Sequence, residues 1–270
     1  MTFKSLLFPV QSTPVCDEAL PRVVAFAQAL GADLIGVAAR APLYMSDPWI
    51  VSAEIMQQLS DDETAQFKAA EARFRAASAC LDGHSHWRSH HDYPNTAIKD
   101  EAAGADLIVT TMEKGPEAVT VGLSSLVLEA GVPVIALPHP APVIRADNML
   151  VAWRNTADAR RAVSMAMPLL EKAKTVTVLQ VVRPEEADDA WISLRAVKAR
   201  LRLHGVHAEV EVVFKAAEAD SDALLNAAHE RGADMIVLGG YGHARAREWI
   251  LGGMTQDLLA GTSIPLFMAH

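Results

Sequence analysis

Short runs of almost unbroken Val, Ile and Leu recur along this chain, separated by stretches in which apolar residues return every three or four positions. The runs are Ser5 to Val10, Asp33 to Ala39, Gly104 to Thr111, Glu129 to Pro138, Asn148 to Trp153, Thr175 to Val182, Met235 to Leu238 and the tail from Ala260 to His270. A strand with one wet face alternates apolar and polar positions, whereas a strand covered on both faces reads as a continuous apolar run. The pattern therefore predicts parallel strands with helices on either side, the helices including Asp17 to Leu30, Ala157 to Leu170, a segment opened by Glu185 and running through His204, and one from Asp220 to about Arg231. Right-handed crossovers turn such an alternation into doubly wound sheets, which take ligands at the carboxyl ends of their strands.

The pattern is also duplicated. SLLFPV and NMLVAW are each followed by a polar turn (Gln11-Ser12-Thr13; Arg154-Asn155-Thr156), a helix and a second strand; GADLIVTT at Gly104 to Thr111 returns as GADMIVLG at Gly232 to Gly239, and EAGVPVIALP returns as AGTSIPLFMAH. The chain reads as α/β throughout: two tandem doubly wound domains, 1–140 and 145–270, each with a five-stranded parallel sheet. The joint, Pro138 to Asp147, carries three prolines. It is too short to let the halves wander, so they are expected to pack together.

Composition narrows the function. The 270 residues are 51% hydrophobic and 21% charged, with a net charge of −9, which argues against nucleic acid as a partner because phosphate backbones need a basic face. Cys16 and Cys80 fall in apolar helical contexts, so both are expected to be buried thiols in a reducing compartment. The opening MTFKSLLFPVQSTP is too short in its apolar run for a signal peptide, and no run approaches the roughly 18 apolar residues of a membrane span. A cytoplasmic location is the expectation.

The stretch richest in chemistry is the last forty residues. The run ending at Leu238 passes through Gly239 and Gly240 into a polar, Arg-bearing loop and then through Gly252 and Gly253 into a helical segment from Thr255. Glycines permit positive φ and close approach to backbone N–H groups, and the next helix presents unpaired N–H groups and the positive end of its dipole, so the segment can hold an anion such as phosphate. Turns between a strand and a helix need glycines too, which leaves a purely structural role open.

The spacing Gly239, two residues, Gly242, nine residues, Gly252 resembles the nucleotide loop of the universal stress protein family, which ends in Ser or Thr. Here Gly253 stands at the hydroxyl position and Thr255 two places later. With the repeat, the resemblance extends over the chain as a tandem pair. It implies a flavodoxin-like, adenine-nucleotide-binding α/β fold, halves paired through Val134 to Leu137 and Leu266 to Met268, and ATP, possibly with Mg²⁺, as the ligand. The site it implies in the second half comprises Gly239, Tyr241, Gly242, Arg245, Gly252, Gly253, Met254, Thr255, Arg154 and Val182. ATP-holding members carry an Asp just after the first strand; Gln11 and Arg154 replace it here. In the first half the glycine loop is also gone, with Thr111-Met112-Glu113-Lys114-Gly115-Pro116 in its place, so no nucleotide is expected there. The resemblance implies a binding and signalling protein with unnamed protein partners and an optional homodimer. A nucleotide-free interaction protein is the alternative, and an ATP-using enzyme the third reading: near the loop only Thr255, Asp257 and Glu248 offer groups for metal or water, which suits slow hydrolysis at best.

Other signals are weaker. His84, His86, His90 and His91 crowd one stretch, and on a strand the even-numbered three share a face. Zinc or nickel binding, a pH-responsive patch and an exposed polar strand edge are all compatible with that. Asp33, Asp106 and Asp234 each follow Gly-Ala and read as turn formers, and Asp220-Ser221-Asp222 reads as a helix cap. The segment from Tyr44 to Leu81 reads as an irregular insertion followed by an amphipathic helix, with Met45, Trp49 and Met56 covering apolar surface.

Overall fold

The computed structural model describes residues 2–41, 53–113, 121–215, 219–240 and 253–270. The first half comprises β1 (Ser5–Pro9), α1 (Pro14–Leu30), β2 (Asp33–Ala39), α2 (Ala53–Ala77), β3 (Ser85–His90), α3 (Pro94–Glu101), β4 (Leu107–Thr111), α4 (Leu123–Glu129) and β5 (Val134–Leu137). The second repeats it with β6 (Asn148–Ala152), α5 (Ala157–Leu170), β7 (Thr175–Val182), α6 (Ala187–Leu203), β8 (Glu209–Phe214), α7 (Asp220–Glu230), β9 (Met235–Gly239), α8 (Gly253–Gly261) and β10 (Leu266–Ala269).

All ten strands form one sheet in the order β3-β2-β1-β4-β5-β10-β9-β6-β7-β8. Every neighbouring pair is parallel except the central one, where β10 runs antiparallel to β5 with Leu266 opposite Ala136, Phe267 opposite Ile135 and Met268 opposite Val134. The seam lies where the family resemblance implied it. All residues of β5 and β10 are buried, and Ala141 and Ile144 fasten the joining segment into the core.

Alternation along the strands splits the core in two. Leu6, Phe8, Leu34, Val151, Val178 and Phe267 face a layer built from α1, α2, α5 and α6, whereas Leu7, Val37, Leu150, Leu179 and Met268 face α3, α4, α7 and α8. Full burial of a side chain of this size is worth about 1.5–3 kcal/mol, so displacing a strand by one residue would turn both sets wrong side out.

Local chemistry fixes the helix starts nearest the rims. Thr13 and Thr156 are the N-caps of α1 and α5, accepting from the backbone N–H of Cys16 and Ala159 through their side-chain oxygens. At the opposite rim the Asp residues after Gly-Ala work across strands rather than within turns: Asp106 accepts from the N–H groups of Lys4 and Ser5 at 2.7 and 3.1 Å, and Asp234 from those of Asp147 and Asn148 at 3.2 and 3.1 Å. Each aspartate ties down the N-terminal end of the strand beside it. Partial burial pushes the Asp234 carboxyl above the ordinary aspartate range against the pull of those two N–H groups.

Of three further expectations one is met and two are corrected. The helix expected within Tyr44 to Leu81 runs 25 residues; Met45, Trp49 and the side chain of Met56 lie outside the described residues. Cys16 is buried but Cys80 is exposed, because the single 3-10 turn after α2 carries it outside the packed layer. The N-cap of α7 is Ala219 with no side-chain cap; Asp220 bonds Lys215 instead, and Ser221 donates to Asp257.

Candidate functional site

Strand order reverses twice in this sheet, once beside β1 and β4 and once beside β6 and β9. At each point the two helices leave for opposite faces, α1 and α5 to one and α4 and α8 to the other, opening a crevice at the carboxyl ends of the strands. Because the seam is antiparallel, the two crevices open at opposite rims of the molecule.

In the second crevice Ala152 of β6 stands opposite Leu238 of β9, which brings Arg154 level with Gly239 and Gly240. Arg154 is 57% exposed, with its guanidinium 3.8 Å from Asp220, whose other oxygen accepts from Lys215 Nζ at 2.5 Å. Val182 ends β7 as a buried residue whose carbonyl accepts from the Lys215 N–H. Gly253 is the first residue of α8; Met254 packs on the core and Thr255 is buried. Tyr241, Gly242, Arg245, Arg247, Glu248 and Gly252 lie outside the described residues.

Gly239 has a steric reason of its own. A Cβ there would stand 2.5 Å from the backbone N of Ala159 and 2.6 Å from the carbonyl carbon of Asp158, so only glycine lets β9 pass beneath the first turn of α5. Gly240 is confined likewise by Val127 Cγ1 at 2.5 Å. The sequence reading missed the group these glycines admit. Asp158, buried, accepts from Arg161 and lies 3.6 Å from Nδ1 of His270, which donates to the Gly240 carbonyl at 3.0 Å. An acid, an imidazole and a guanidinium thus stand at the root of the glycine loop. Nothing in their spacing along the chain, 112 positions between Asp158 and His270, announces it.

The first crevice is spanned instead of open at its root. Thr13 Oγ1 donates to Glu113 Oε2 at 2.8 Å, tying the start of α1 to the segment leaving β4, and Arg73 of α2 reaches over to Ser12 and Asp17. Thr111 occupies the position that Gly239 holds in the repeat, and it is buried. Beneath the bridge, Cys16 Sγ accepts from the Gln11 N–H at 3.2 Å and lies 3.6 Å from the Pro9 carbonyl. Burial pushes this thiol up to about 12 from its reference of 9.0. Gly122 caps α4 and donates to Asn95 at 2.7 Å.

The histidine stretch resolves into pairs. His84 and His86 both meet Asp33, at 2.7 and 3.0 Å, His90 meets Glu101 at 2.8 Å, and His91 stands 3.5 Å from Glu63. Among the described residues no three His, Cys, Asp or Glu side chains are grouped to hold a metal ion. The bonds from His86 and His84 hold the Asp33 carboxyl below the ordinary aspartate range.

Residues 146–270 match the model of the universal stress protein family. This half of the chain is similar to that family over its whole length. The fold of the whole chain is that of solved universal stress proteins: the structure of one from Archaeoglobus fulgidus DSM 4304 superposes with a TM-score of 0.71 over 98% of this chain and 95% of its own at 16% identity. A functionally unknown protein from Pseudomonas aeruginosa PAO1 superposes with a TM-score of 0.59 over 99% and 92%, at 14% identity. A universal stress protein solved in complex with cAMP aligns over 47% of this chain and 99% of its own, at 19% identity and a TM-score of 0.37, too low to inform this chain's ligands. No curated protein matches the sequence. Among the described residues no helix is long and apolar enough to cross a membrane.

Proposed function

We propose that this protein is a nucleotide-holding stress-response protein of two domains, 1–140 and 145–270, in which the second domain binds ATP and the first does not. The observation that carries the reading is the crevice between β6 and β9: a glycine-spaced segment leaves β9 at the reversal of strand order and re-enters the fold at the first turn of α8. The first-turn N–H groups of a helix lack intrahelical partners and suit a phosphate. Gly242, Gly252 and Gly253 would give close backbone approach, Arg245 would pair with phosphate, and Arg154 and Val182 would border the nucleoside. The Asp257 carboxylate faces Ser221 at 3.4 Å on α7, so any Mg²⁺ would arrive on the nucleotide rather than on that residue. Occupancy would alter the protein's contacts with other proteins, and phosphoryl transfer to an acceptor is not needed for that role.

Native mass spectrometry during titration with ATP and Mg²⁺ tests the reading. One nucleotide per chain is expected, lost in Gly252→Val. A second reading has its own support, since Arg154 stands where an acid is expected and is drawn toward Asp220 at 3.8 Å. No ATP bound at millimolar concentration would establish that second, nucleotide-free interaction protein.

A further inference from the structure

The carboxyl ends of β6, β7 and β8 stand side by side at the rim of the second crevice, with β7 in the middle and β9 on the far side of β6. Two cations and an acid meet over the end of β7. Arg154 stands two residues beyond β6, Lys215 follows β8 directly, and Asp220 opens α7. One oxygen of Asp220 lies 3.8 Å from the Arg154 guanidinium and the other accepts from Lys215 Nζ at 2.5 Å, while the Lys215 N–H donates to the carbonyl of Val182.

A single carboxylate leaves one of these two positive charges unbalanced, in a chain whose net charge is −9. Among the described residues the Arg154 guanidinium donates no hydrogen bond, since 3.8 Å is an ion-pair distance, and its side chain is 57% exposed. By contrast Arg183, next to Val182, has both Glu185 and Glu186 within 3.9 Å. α7 adds to the surplus, because its N-cap, Ala219, has no side-chain acceptor for the first-turn N–H groups. Strand register equates Arg154 with Gln11 and Lys215 with Asp92, so the first half lacks a cation at both of these positions.

Such groups select what they can hold. Guanidinium and ammonium groups are donors only and cannot accept from a ribose hydroxyl. In doubly wound nucleotide sites a carboxylate near the ribose reads its free hydroxyls, whereas an arginine accommodates a phosphate esterified to one of them. Here the carboxylate is taken up by the two cations. We propose that the nucleotide in the second crevice carries a further phosphate on its ribose, bound by Arg154 and Lys215. The inference rests on the nucleotide reading of that crevice. Asp220 keeps the two cations beside each other, and the ribose phosphate supplies the missing negative charge.

Calorimetric titration of the full chain at fixed ionic strength, with adenosine 5′-monophosphate, ATP, adenosine 2′,5′-bisphosphate and adenosine 3′,5′-bisphosphate as probes, tests this. One of the bisphosphates is expected to bind about tenfold or more tighter than the monophosphate. Arg154→Ala and Lys215→Ala are each expected to cut that preference to about threefold or less. Arg154→Asp, which supplies an acceptor for free hydroxyls, is expected to reverse it. Melting curves of the unliganded variants establish that each is folded. Monophosphate or ATP bound with no preference for either bisphosphate overturns the inference and leaves the nucleotide reading standing. None of the probes bound at millimolar concentration overturns both, and a bisphosphate bound without ATP sinks the ATP reading alone. A preference that survives the loss of both cations in one chain places the second phosphate elsewhere and also overturns the inference.

Discussion

The two crevices are built from the same repeat and differ in what stands at their roots. In the first, a threonine side chain fills the position at the end of β4, and a Thr13–Glu113 bond crosses from helix to loop. In the second, the equivalent position is a glycine that lets the backbone of α5 come down onto β9, and the Gly240 carbonyl next to it is held by His270, which lies beside Asp158. One set of side chains closes a cleft; the other removes side chains from it. Because the seam uses β5 and β10 and neither crevice, the two crevices can differ without disturbing the shared sheet.

The largest contrast should appear in thiol labelling. Cys16 lies under the first bridge, where burial holds the thiol up to about 12 and therefore protonated at pH 8. Exposed Cys80 should react with a thiol reagent promptly, and Cys16 only when the chain is unfolded. Equal reaction of both in the folded protein would mean that the first crevice opens freely.

Next in size is Gly239→Val. Its side chain meets the α5 backbone, so a loss of about 1–3 kcal/mol or more is expected, read as a drop in thermal midpoint of several degrees. The matched change Thr111→Gly creates no clash, leaves a small void and should cost about 1 kcal/mol. Equal effects in the two halves would remove the distinction drawn between them.

Cutting the first bridge with Glu113→Ala should cost about 0.5–1.5 kcal/mol, measured by urea unfolding. Thr13→Ala removes the bridge and the helix cap together and should cost more, toward about 2 kcal/mol.

The smallest effect belongs to Asp33, which is partly exposed and has no acidic counterpart at Thr175 of the second half. Its carboxyl is held below 3.8, first by His86 and then by His84. The stabilisation is therefore present above pH 3.8 and disappears as pH falls through the lower folded value. Melting curves of wild type and Asp33→Asn should separate slightly at pH 5 to 7 and converge in strong acid. Separation that grows on acidification would contradict the assigned pairing.

The strands and many helix limits were legible because the forces that set them are local. α5 runs from Ala157 to Leu170 as the pattern predicts, since Thr156 caps it and its apolar spacing is regular. The seam was legible through the family resemblance, since no local signal says which strands pair. α2 was harder: its stripe of exposed alanines blurs the apolar periodicity that would mark its buried face. Asp106 and Asp234 looked like turn residues because their partners, Lys4 and Asn148 among them, are some 86 to 102 positions away. At the candidate site, Gly239 was legible as a glycine that mattered. That the helix above it supplies the reason, and that Asp158 and His270 gather beside it, depends on register that composition does not record.

The seam also changes what the proline-bearing joint is for. Val134–Leu137 and Leu266–Ala269 are buried against each other whether or not Pro138 to Asp147 is continuous, and His139, Pro140 and Val143 of that joint are exposed to a protease. A chain nicked there should migrate as two fragments in denaturant and as one particle without it. The covalent link serves to raise the local concentration of one half for the other, and the assembled sheet then does the holding.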